Sequence, residues 1–178
     1  MRLSCLFVVL MAACTKSGGP SSPPGVTPQA IVVTSTAIAS SAPIPLQYTC
    51  DGKDVMPPLA WSPPPDGTAA LVLIVDDPDA PGGVFTHLLA WNARADAHEI
   101  AEGAAPTTIG ATVGKNGFGK LGWSGPCPPR GSLHHYRFRV LAIDKALTLS
   151  EGSTRGDLDN ALAGRVIGDG TLTATFQH

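Results

Sequence analysis

The sequence has little charge and shows no surplus of basic residues. Charged residues make up 15% of its 178 residues, and 12 Lys and Arg stand against 14 Asp and Glu, giving a formal charge of −2. The sequence has no cluster of Lys and Arg that could neutralise a phosphodiester backbone, so we expect no nucleic-acid partner. No stretch reaches the roughly 18 consecutive apolar residues that a membrane-spanning helix needs.

Several catalytic and cofactor motifs are also missing. None of the four Cys has another Cys two or three positions away, so zinc or redox sites of the CxxC type are poorly supported. The nucleotide-binding pattern GxxxxGK[ST] is absent. Ser62 and Ser124 lie near Pro-rich loops, but neither sits in a GxSxG turn. We therefore expect a protein that is not an enzyme and that carries no metal or cofactor.

The composition suits one compact domain. Apolar residues make up 43% of the chain, enough to bury a core at this length. The 20 Gly and 17 Pro together exceed a fifth of the sequence, which favours short strands and shaped loops over long helices.

The N-terminal segment is typical of export. Met1 and Arg2 precede an apolar run that ends in Leu10-Met11-Ala12-Ala13-Cys14, which resembles a bacterial lipobox. We predict a signal peptide over residues 1–13, lipidation of Cys14, a Ser/Gly/Pro-rich tether over 14–30 and a domain over 31–178. The lipobox analogy favours the outer membrane, because Thr15 and not Asp follows the cysteine. The domain would then lie in the periplasm or at the surface of a bacterial cell, held to the envelope by its lipid.

Two cysteines remain once Cys5 leaves with the signal and Cys14 takes lipid. Cys50 and Cys127 would stand in an oxidising compartment, where we expect a disulfide. Such a bond would stabilise the fold by roughly 4 kcal/mol in the chain-entropy model. Two buried free thiols are the alternative.

The apolar pattern predicts a mainly β domain, α+β at the margin. Strands are expected over the following segments: 31–39, 71–75, 88–91, 136–143 and 171–176. One helix is expected after Thr154, which can cap it with Asp157, and its apolar spacing continues to Val166.

The candidate functional residues follow strands or lie in Pro/Gly loops. Asp77 and Asp79 come directly after an apolar strand, where both carboxylates can point the same way from extended chain. His87 opens the next strand, and a hairpin would bring it beside the acids. A Gly- and Pro-rich loop over 114–131 could expose backbone N–H groups to an anion. After this loop, His134 and Tyr136 share one face of a strand.

These motifs, taken in order, resemble the phosphatidylethanolamine-binding proteins, in particular their bacterial Raf kinase inhibitor-like branch. The resemblance spans about residues 31–176 and rests on these segments: Cys50-Asp51-Gly52-Lys53-Asp54 through Trp61, Asp77-Pro78-Asp79-Ala80-Pro81, His87, Gly125-Pro126-Cys127-Pro128-Pro129 and His134-His135-Tyr136. It implies a large central β-sheet with a smaller flanking sheet and one or two short helices. It also implies a shallow pocket for phosphate-like anions or phosphoethanolamine head groups, carried by the following residues: Asp77, Asp79, His87, His134 and Tyr136, with Gly125, Pro126 and Pro128 in its rim.

The chain departs from the family pattern at four positions near these motifs. Met56 replaces a usual Ser, Leu88 a frequent Trp, Trp123 a common Tyr, and Phe176 a late Tyr. The Asp and His residues of the pocket are kept.

The residue types also suggest how an anion would be held. A carboxylate beside an imidazole raises the pKa of the histidine, so we expect His87 and His134 to offer N–H donors or positive charge while Asp77 and Asp79 orient them. Two alternatives remain open: an inhibitor or modulator of a protease or kinase, and a metal-dependent hydrolase that uses Asp77, Asp79, His87 and His134 as ligands.

Overall fold

The computed structural model describes residues 27–178. The predicted signal peptide, the lipidation site Cys14 and most of the predicted tether lie outside the described residues. The chain forms nine strands and one α-helix in this part: β1 Gln29–Ala30, β2 Val33–Thr34, β3 Leu59–Trp61, β4 Ala70–Asp77, β5 Phe85–Ala93, β6 Glu99–Ile100, β7 Thr112–Val113, β8 Leu133–Ile143, α1 Arg155–Leu162 and β9 Val166–Gln177. Two short 3₁₀ turns cover Leu46–Tyr48 and Pro106–Ile109.

The predicted architecture of one large sheet and one smaller sheet is confirmed. Six strands form the large sheet in the order β1-β9-β8-β4-β5-β7, and β2, β3 and β6 form the small one. In the large sheet, β5, β4, β8 and β9 pair antiparallel with one another in this order, while β1 pairs with β9 in parallel. The long strands β4 and β8 are buried on both faces near the middle of the sheet, which explains their unbroken apolar runs.

Alternation along the strands sends side chains into two separate cores. Leu71, Leu73 and Val75 of β4 pack towards the small sheet, whereas Val72 and Ile74 pack on the opposite face. The second face is covered by α1, which buries Leu158 and Leu162 against it. The same alternation continues past the apolar run, so Asp76 follows the helix side and Asp77 follows the small-sheet side.

The helix begins as its sequence predicts but ends earlier. Thr154 and Asp157 form a reciprocal capping box, in which the Thr154 hydroxyl accepts from the Asp157 N–H and the Asp157 carboxylate accepts from the Thr154 N–H. The apolar spacing suggested a helix as far as Val166. It stops at Leu162, because Gly164 adopts φ +71° and turns the chain so that Val166 opens β9.

The N-terminal part of the domain also differs from its prediction. Of the strand expected over 31–39, only Val33–Thr34 pairs as strand. The tether was expected to continue to residue 30, but Gln29 and Ala30 already pair with β9. Backbone hydrogen bonding to the edge of the large sheet adds these residues to the domain despite their polar, Pro-rich context.

The structure also settles the state of the two cysteines of the domain. Cys50 and Cys127 form a disulfide that joins positions 77 residues apart in the chain. Both residues are exposed, in contrast to the alternative of two buried thiols. Within residues 27–178, no helix combines the length and the apolar character needed to cross a bilayer.

Candidate functional site

A cavity of about 150 Å³ opens where β4 ends and where β5 and β8 begin, beside the Gly/Pro-rich loop. Its floor is polar and its walls are apolar. The cavity is lined by the following residues: Asp77, Ala80, Pro81, Phe85, His87, Phe118, Cys127, Pro128, Pro129, His134 and Tyr136. It is small for a drug-sized ligand and suits a compact head group or ion.

Asp77 and His134 form the centre of this floor. The His134 Nδ1 atom lies 2.7 Å from Asp77 Oδ2, and the two side chains are 6% and 5% exposed. The second oxygen, Oδ1, accepts the backbone N–H of Asp79 at 2.8 Å. Both carboxylate oxygens therefore have partners inside the protein, and the His134 ring is left with Nε2 as its free polar atom.

His87 reaches the cavity through an irregularity in the strand pairing. Val75 pairs with Leu88 and Asp76 pairs with Thr86, so His87 is an extra residue in β5. A bulge of this kind turns a side chain out of strict alternation. It breaks the alternation between His87 and Leu88, so that both lie on the side of Tyr136, while His87 keeps its ring contact with Phe85 at 5.1 Å between centroids. No local pattern in the sequence predicts this bulge.

The His87 ring is held in one orientation. Its Nδ1 lies 2.7 Å from the Ser124 carbonyl oxygen, which can only accept, so Nδ1 carries the proton. The ring is buried, and burial lowers the pKa of His87 below its ordinary value of 6.5, against the opposing effect of the Ser124 carbonyl and Asp77. The expectation of a raised pKa is therefore wrong for His87, because the loss of hydration outweighs the nearby carboxylate.

Tyr136 supplies a hydroxyl without a partner. The residue is fully buried, lies beside His87 with ring centroids 5.3 Å apart, and its hydroxyl makes no hydrogen bond within the protein. Burial, reinforced by Asp77 and Asp79, raises the pKa of Tyr136 far above its ordinary value. The hydroxyl thus stays protonated and is available to donate to a bound acceptor.

The predicted partner acid Asp79 lies elsewhere. Because the chain turns at Pro78, the Asp79 carboxylate points away from the cavity and accepts from the backbone and ring of His135, both through Oδ2. The hydrogen bond from the His135 ring holds the pKa of Asp79 below its ordinary value. The expectation that Asp77 and Asp79 point the same way is not met, and Asp79 does not line the cavity.

The Gly/Pro loop forms one wall in a different manner from the one expected. Pro128 lines the cavity, but Gly125 and Pro126 do not. The Gly125 N–H is already used, since it donates to Asp54 Oδ1 at 2.6 Å. A side chain at Gly125 would meet the Tyr48 carbonyl oxygen, so only glycine lets the loop pass this close to the preceding segment.

Residues that the sequence did not single out hold this wall in place. Asn116 is buried, accepts from the N–H groups of Phe118 and Lys120, and donates to the Ser124 hydroxyl. It thereby sets Phe118 at the mouth of the cavity. An Asn in a Gly-rich loop often forms hydrogen bonds to the backbone around it. Asn116 was the one feature of the sequence that pointed to this hydrogen-bonded loop.

The four positions that depart from the family pattern lie outside the cavity lining. Met56, Leu88 and Phe176 belong to the core between the sheets, and Trp123 packs against it. The departures therefore leave the polarity of the cavity unchanged.

The charges around the cavity are unbalanced. Among the residues that the structure describes, no Lys or Arg lines it, and Asp77 is the only carboxylate that does. With neutral imidazoles the site would carry one negative charge and would repel a dianion.

Of the set proposed for a metal-dependent hydrolase, Asp77, His87 and His134 line the cavity and Asp79 does not. Asp77 pairs with His134 and Asp79 pairs with His135, on different sides of the strand. Within residues 27–178, the one group of three possible ligands whose atoms approach within 4.8 Å is Cys50, Cys127 and His178, and its sulfur atoms are joined to each other.

Comparisons with known proteins agree with this architecture. A family model described as phosphatidylethanolamine-binding protein matches residues 34–177. A UPF0098 protein of Pyrococcus abyssi is 39% identical over 97% of this chain and 95% of its own length. LppC of Mycobacterium tuberculosis, named as a candidate lipoprotein, is 38% identical over 96% of this chain and 92% of its own length.

Solved structures give the same result. A Chlamydia trachomatis protein, described as a candidate phosphatidylethanolamine-binding protein homologue, is 36% identical with a TM-score of 0.78, covering 84% of this chain and 99% of its own. Escherichia coli YbcL, described as a new member of the mammalian family, is 28% identical with a TM-score of 0.78, covering 83% of this chain and 98% of its own.

Proposed function

Because the chain belongs to the phosphatidylethanolamine-binding protein family, we propose that its cavity binds a phosphate-like anion, free or as a phosphoethanolamine head group. Membership of this family supports a binding protein. The polar atoms that the cavity leaves without partners support a phosphate-like ligand.

The observation that carries the proposal is the unpaired Tyr136 hydroxyl between two oriented imidazoles. A buried donor without a partner costs about 1–3 kcal/mol, and a ligand acceptor would recover that cost. His87 and His134 each use Nδ1 within the protein, so each has Nε2 left for a ligand. Three polar groups thus converge on a space of about 150 Å³, as a tetrahedral oxyanion requires.

The anion must be bound together with a proton. His87 is neutral in the free protein, and Asp77 already places a negative charge in the floor. An anion would therefore be held once an imidazole takes up a proton and offers Nε2–H, or when the ligand donates its own P–OH to Nε2. An ammonium group, as in phosphoethanolamine, would find the remaining negative charge of the site favourable.

We propose that the ligand is bound without being transformed. The His134–Asp77 pair has no nucleophile beside it to activate, because the described residues that line the cavity include no Ser, Thr or Lys, and Cys127 is held in the disulfide. The Ser124 hydroxyl of the loop accepts from Asn116 and is not paired with a base.

We also propose that the domain is held to a bacterial membrane by lipid on Cys14, with outer membrane and periplasm as the expected site. The lipobox-like segment before Cys14 supports this anchor, and so does similarity to LppC, which is named as a candidate lipoprotein. The chain between Cys14 and Thr27 can reach at most about 45 Å at roughly 3.5 Å per residue, so the cavity would remain near the bilayer.

Two-dimensional NMR titration tests the binding site. Inorganic phosphate and O-phosphoethanolamine, each added to labelled protein at acidic and neutral pH, should give saturable shifts at Asp77, His87 and His134. The same titration of His135→Gln, which alters only the outer pair with Asp79, should give unchanged shifts. Absence of localised shifts at millimolar ligand would refute the proposed pocket.

A further inference from the structure

We infer that the Cys50–Cys127 disulfide is a site of thiol–disulfide exchange, in which His178 donates a proton to the departing sulfur and Asp51 positions His178. The disulfide is exposed on the surface and Cys127 lines the cavity. Exposure matters because an attacking thiolate must reach a sulfur atom along the bond, and a buried disulfide prevents this.

The geometry around the bond is that of an activated thiol. The Nε2 atom of His178 lies 3.8 Å from the sulfur of Cys50 and 3.8 Å from that of Cys127. Its Nδ1 lies 2.8 Å from Asp51 Oδ2, so the carboxylate accepts from Nδ1–H and fixes the ring with Nε2 towards the sulfurs. The ring is further held by edge contact with Phe176 at 5.8 Å. The same arrangement activates cysteines in other proteins: a sulfur that attacks or departs, a histidine beside it, and an acid that orients the histidine.

The reaction balances with a dithiol as the external reductant. Its thiolate attacks one sulfur, a mixed disulfide forms, and the electron pair of the broken bond passes to the other sulfur, which takes the proton from imidazolium Nε2–H. The second thiol of the reductant then displaces the protein sulfur. The protein gains two electrons and two protons, and the dithiol becomes a cyclic disulfide. Because Nε2 is equally far from both sulfurs, His178 can serve whichever one departs first.

Cleavage of the bond would loosen the wall of the cavity. The segment carrying Cys50 and the loop carrying Cys127 are joined otherwise by a hydrogen bond from the Cys50 N–H to the Pro126 carbonyl and by the contact of Asp54 with Gly125. Release of the covalent tie therefore frees Cys127 and its neighbour Pro128, both of which line the cavity. This consequence for binding rests on the proposed function, whereas the exchange reaction does not.

The chain provides a matched control. His135 and Asp79 form a second histidine–carboxylate pair, with His135 Nδ1 2.6 Å from Asp79 Oδ2, but this pair has no contact with sulfur. The His135 side chain is 52% exposed and that of His178 is 10% exposed. Loss of a histidine–carboxylate pair can thus be separated from loss of the imidazole beside the disulfide.

The test measures the rate at which dithiothreitol reduces the full-length protein at neutral pH, with alkylation and mass analysis of the peptides that carry Cys50 and Cys127. We expect His178→Gln, which keeps a polar side chain but cannot donate from an imidazolium, to slow reduction about tenfold or more. His135→Gln should reduce at the wild-type rate. Equal rates in the wild type and His178→Gln would overturn the inference.

The ultraviolet absorbance of thiolate distinguishes a role of His178 and Asp51 in the reaction from a purely structural role. In the reduced protein, the ultraviolet absorbance of thiolate at neutral pH should fall in His178→Gln and fall partly in Asp51→Asn, because a neighbouring imidazolium stabilises thiolate. Unchanged thiolate absorbance in both variants would remove Asp51 and His178 from the reaction.

Inorganic phosphate then reports on the cavity. Reduced wild type and the double variant Cys50→Ser/Cys127→Ser should both bind phosphate at least about tenfold more weakly than oxidised protein. Equal phosphate affinity before and after reduction would overturn the link to the cavity while leaving the exchange rates as the test of the reaction. If the oxidised protein itself binds no phosphate, the proposed function fails, and the reduction rates still decide the inference.

Discussion

Sulfate binding as a function of pH is the sharpest test of the charge arrangement in the cavity. Sulfate remains a dianion throughout the neutral range, so any change of its affinity with pH reports protons taken up by the protein alone. Burial lowers the pKa of His87 below 6.5, and Asp77 adds a negative charge to the floor. Binding of a dianion therefore requires the site to acquire a proton.

The size of the pH dependence follows from the coupling of proton binding to sulfate binding. If one proton is bound with each sulfate, the association constant falls about tenfold per pH unit, or ~1.4 kcal/mol, at pH values above the pKa of the imidazole in the free protein. An imidazolium and one anionic charge about 4 Å apart attract by about 4 kcal/mol at an effective dielectric constant of about 20, which raises the pKa in the complex by about three units. Because the pKa of His87 in the free protein lies below 6.5, the fall should begin below pH 6.5 and extend over about three pH units.

Isothermal titration calorimetry measures this directly. Affinities are determined across the range, and repeated at one pH in buffers of different ionisation enthalpy to count the protons taken up. Tyr136→Phe serves as the matched variant, since it removes one donor but no titrating group. It should weaken sulfate binding by about 1.5 kcal/mol or more at every pH and leave the slope unchanged.

A flat profile between about pH 6 and 8 would refute the reasoning, because it would show that no imidazole is charged on binding. A rising affinity at higher pH would refute it as well. Loss of the slope in His134→Gln would assign the proton to that ring, and its persistence there would assign it to His87.

Three further predictions concern stability. Asp76 is fully buried between Arg137 of β8 and Arg155 of α1, so Asp76→Asn should lower the free energy of unfolding by up to about 3 kcal/mol in urea. The partly exposed Asp169 pairs with Arg139, and Asp169→Asn should change the free energy of unfolding by less than about 1 kcal/mol; equal losses in the two variants would contradict the burial argument. Thr154→Ala removes the helix cap and should cost about 1 kcal/mol, checked by thermal unfolding, and a neutral result would show that α1 does not depend on its cap. The pKa of His87 is lower in the folded than in the unfolded protein, so the unfolded state binds more protons. The stability of the ligand-free protein should therefore be complete above about pH 6.5 and fall as the pH drops towards the folded-state pKa of His87. His87→Gln should flatten this fall, and an unchanged pH profile of stability would show that His87 is not its source.

The main strands and the start of the helix follow from local pattern. The apolar run at 71–75 lies within β4, which is buried along its whole length. The change from alternating to continuous burial along 136–143 matches β8, because this strand passes from a half-covered to a fully covered part of the sheet. The cap at Thr154 is equally local, since its hydrogen bonds join residues three apart. The early end of the helix was missed, because strand β9 competes for Val166 through pairing with distant β8.

The candidate site was predicted in part. The structure brings Asp77, His87, His134, Tyr136 and Pro128 to one cavity, as the ordered motifs indicated. It moves Asp79 to the outside, where the backbone N–H and the ring of His135 donate to its carboxylate. The turn at Pro78 decides this, and a strict two-residue alternation cannot anticipate where a strand ends.

The amino-acid sequence by itself determined that the chain forms a mainly β domain with an Asp and His pair near its Gly/Pro loop. Those properties depend on side-chain type and on periods of two or three to four residues, which are readable along the chain. Only the tertiary structure decided the bulge that turns His87 into the cavity, the use of the Gly125 N–H by Asp54, and the meeting of His178 with the disulfide. These contacts join residues that are far apart in sequence, and their energies depend on burial and distance, which no local pattern records.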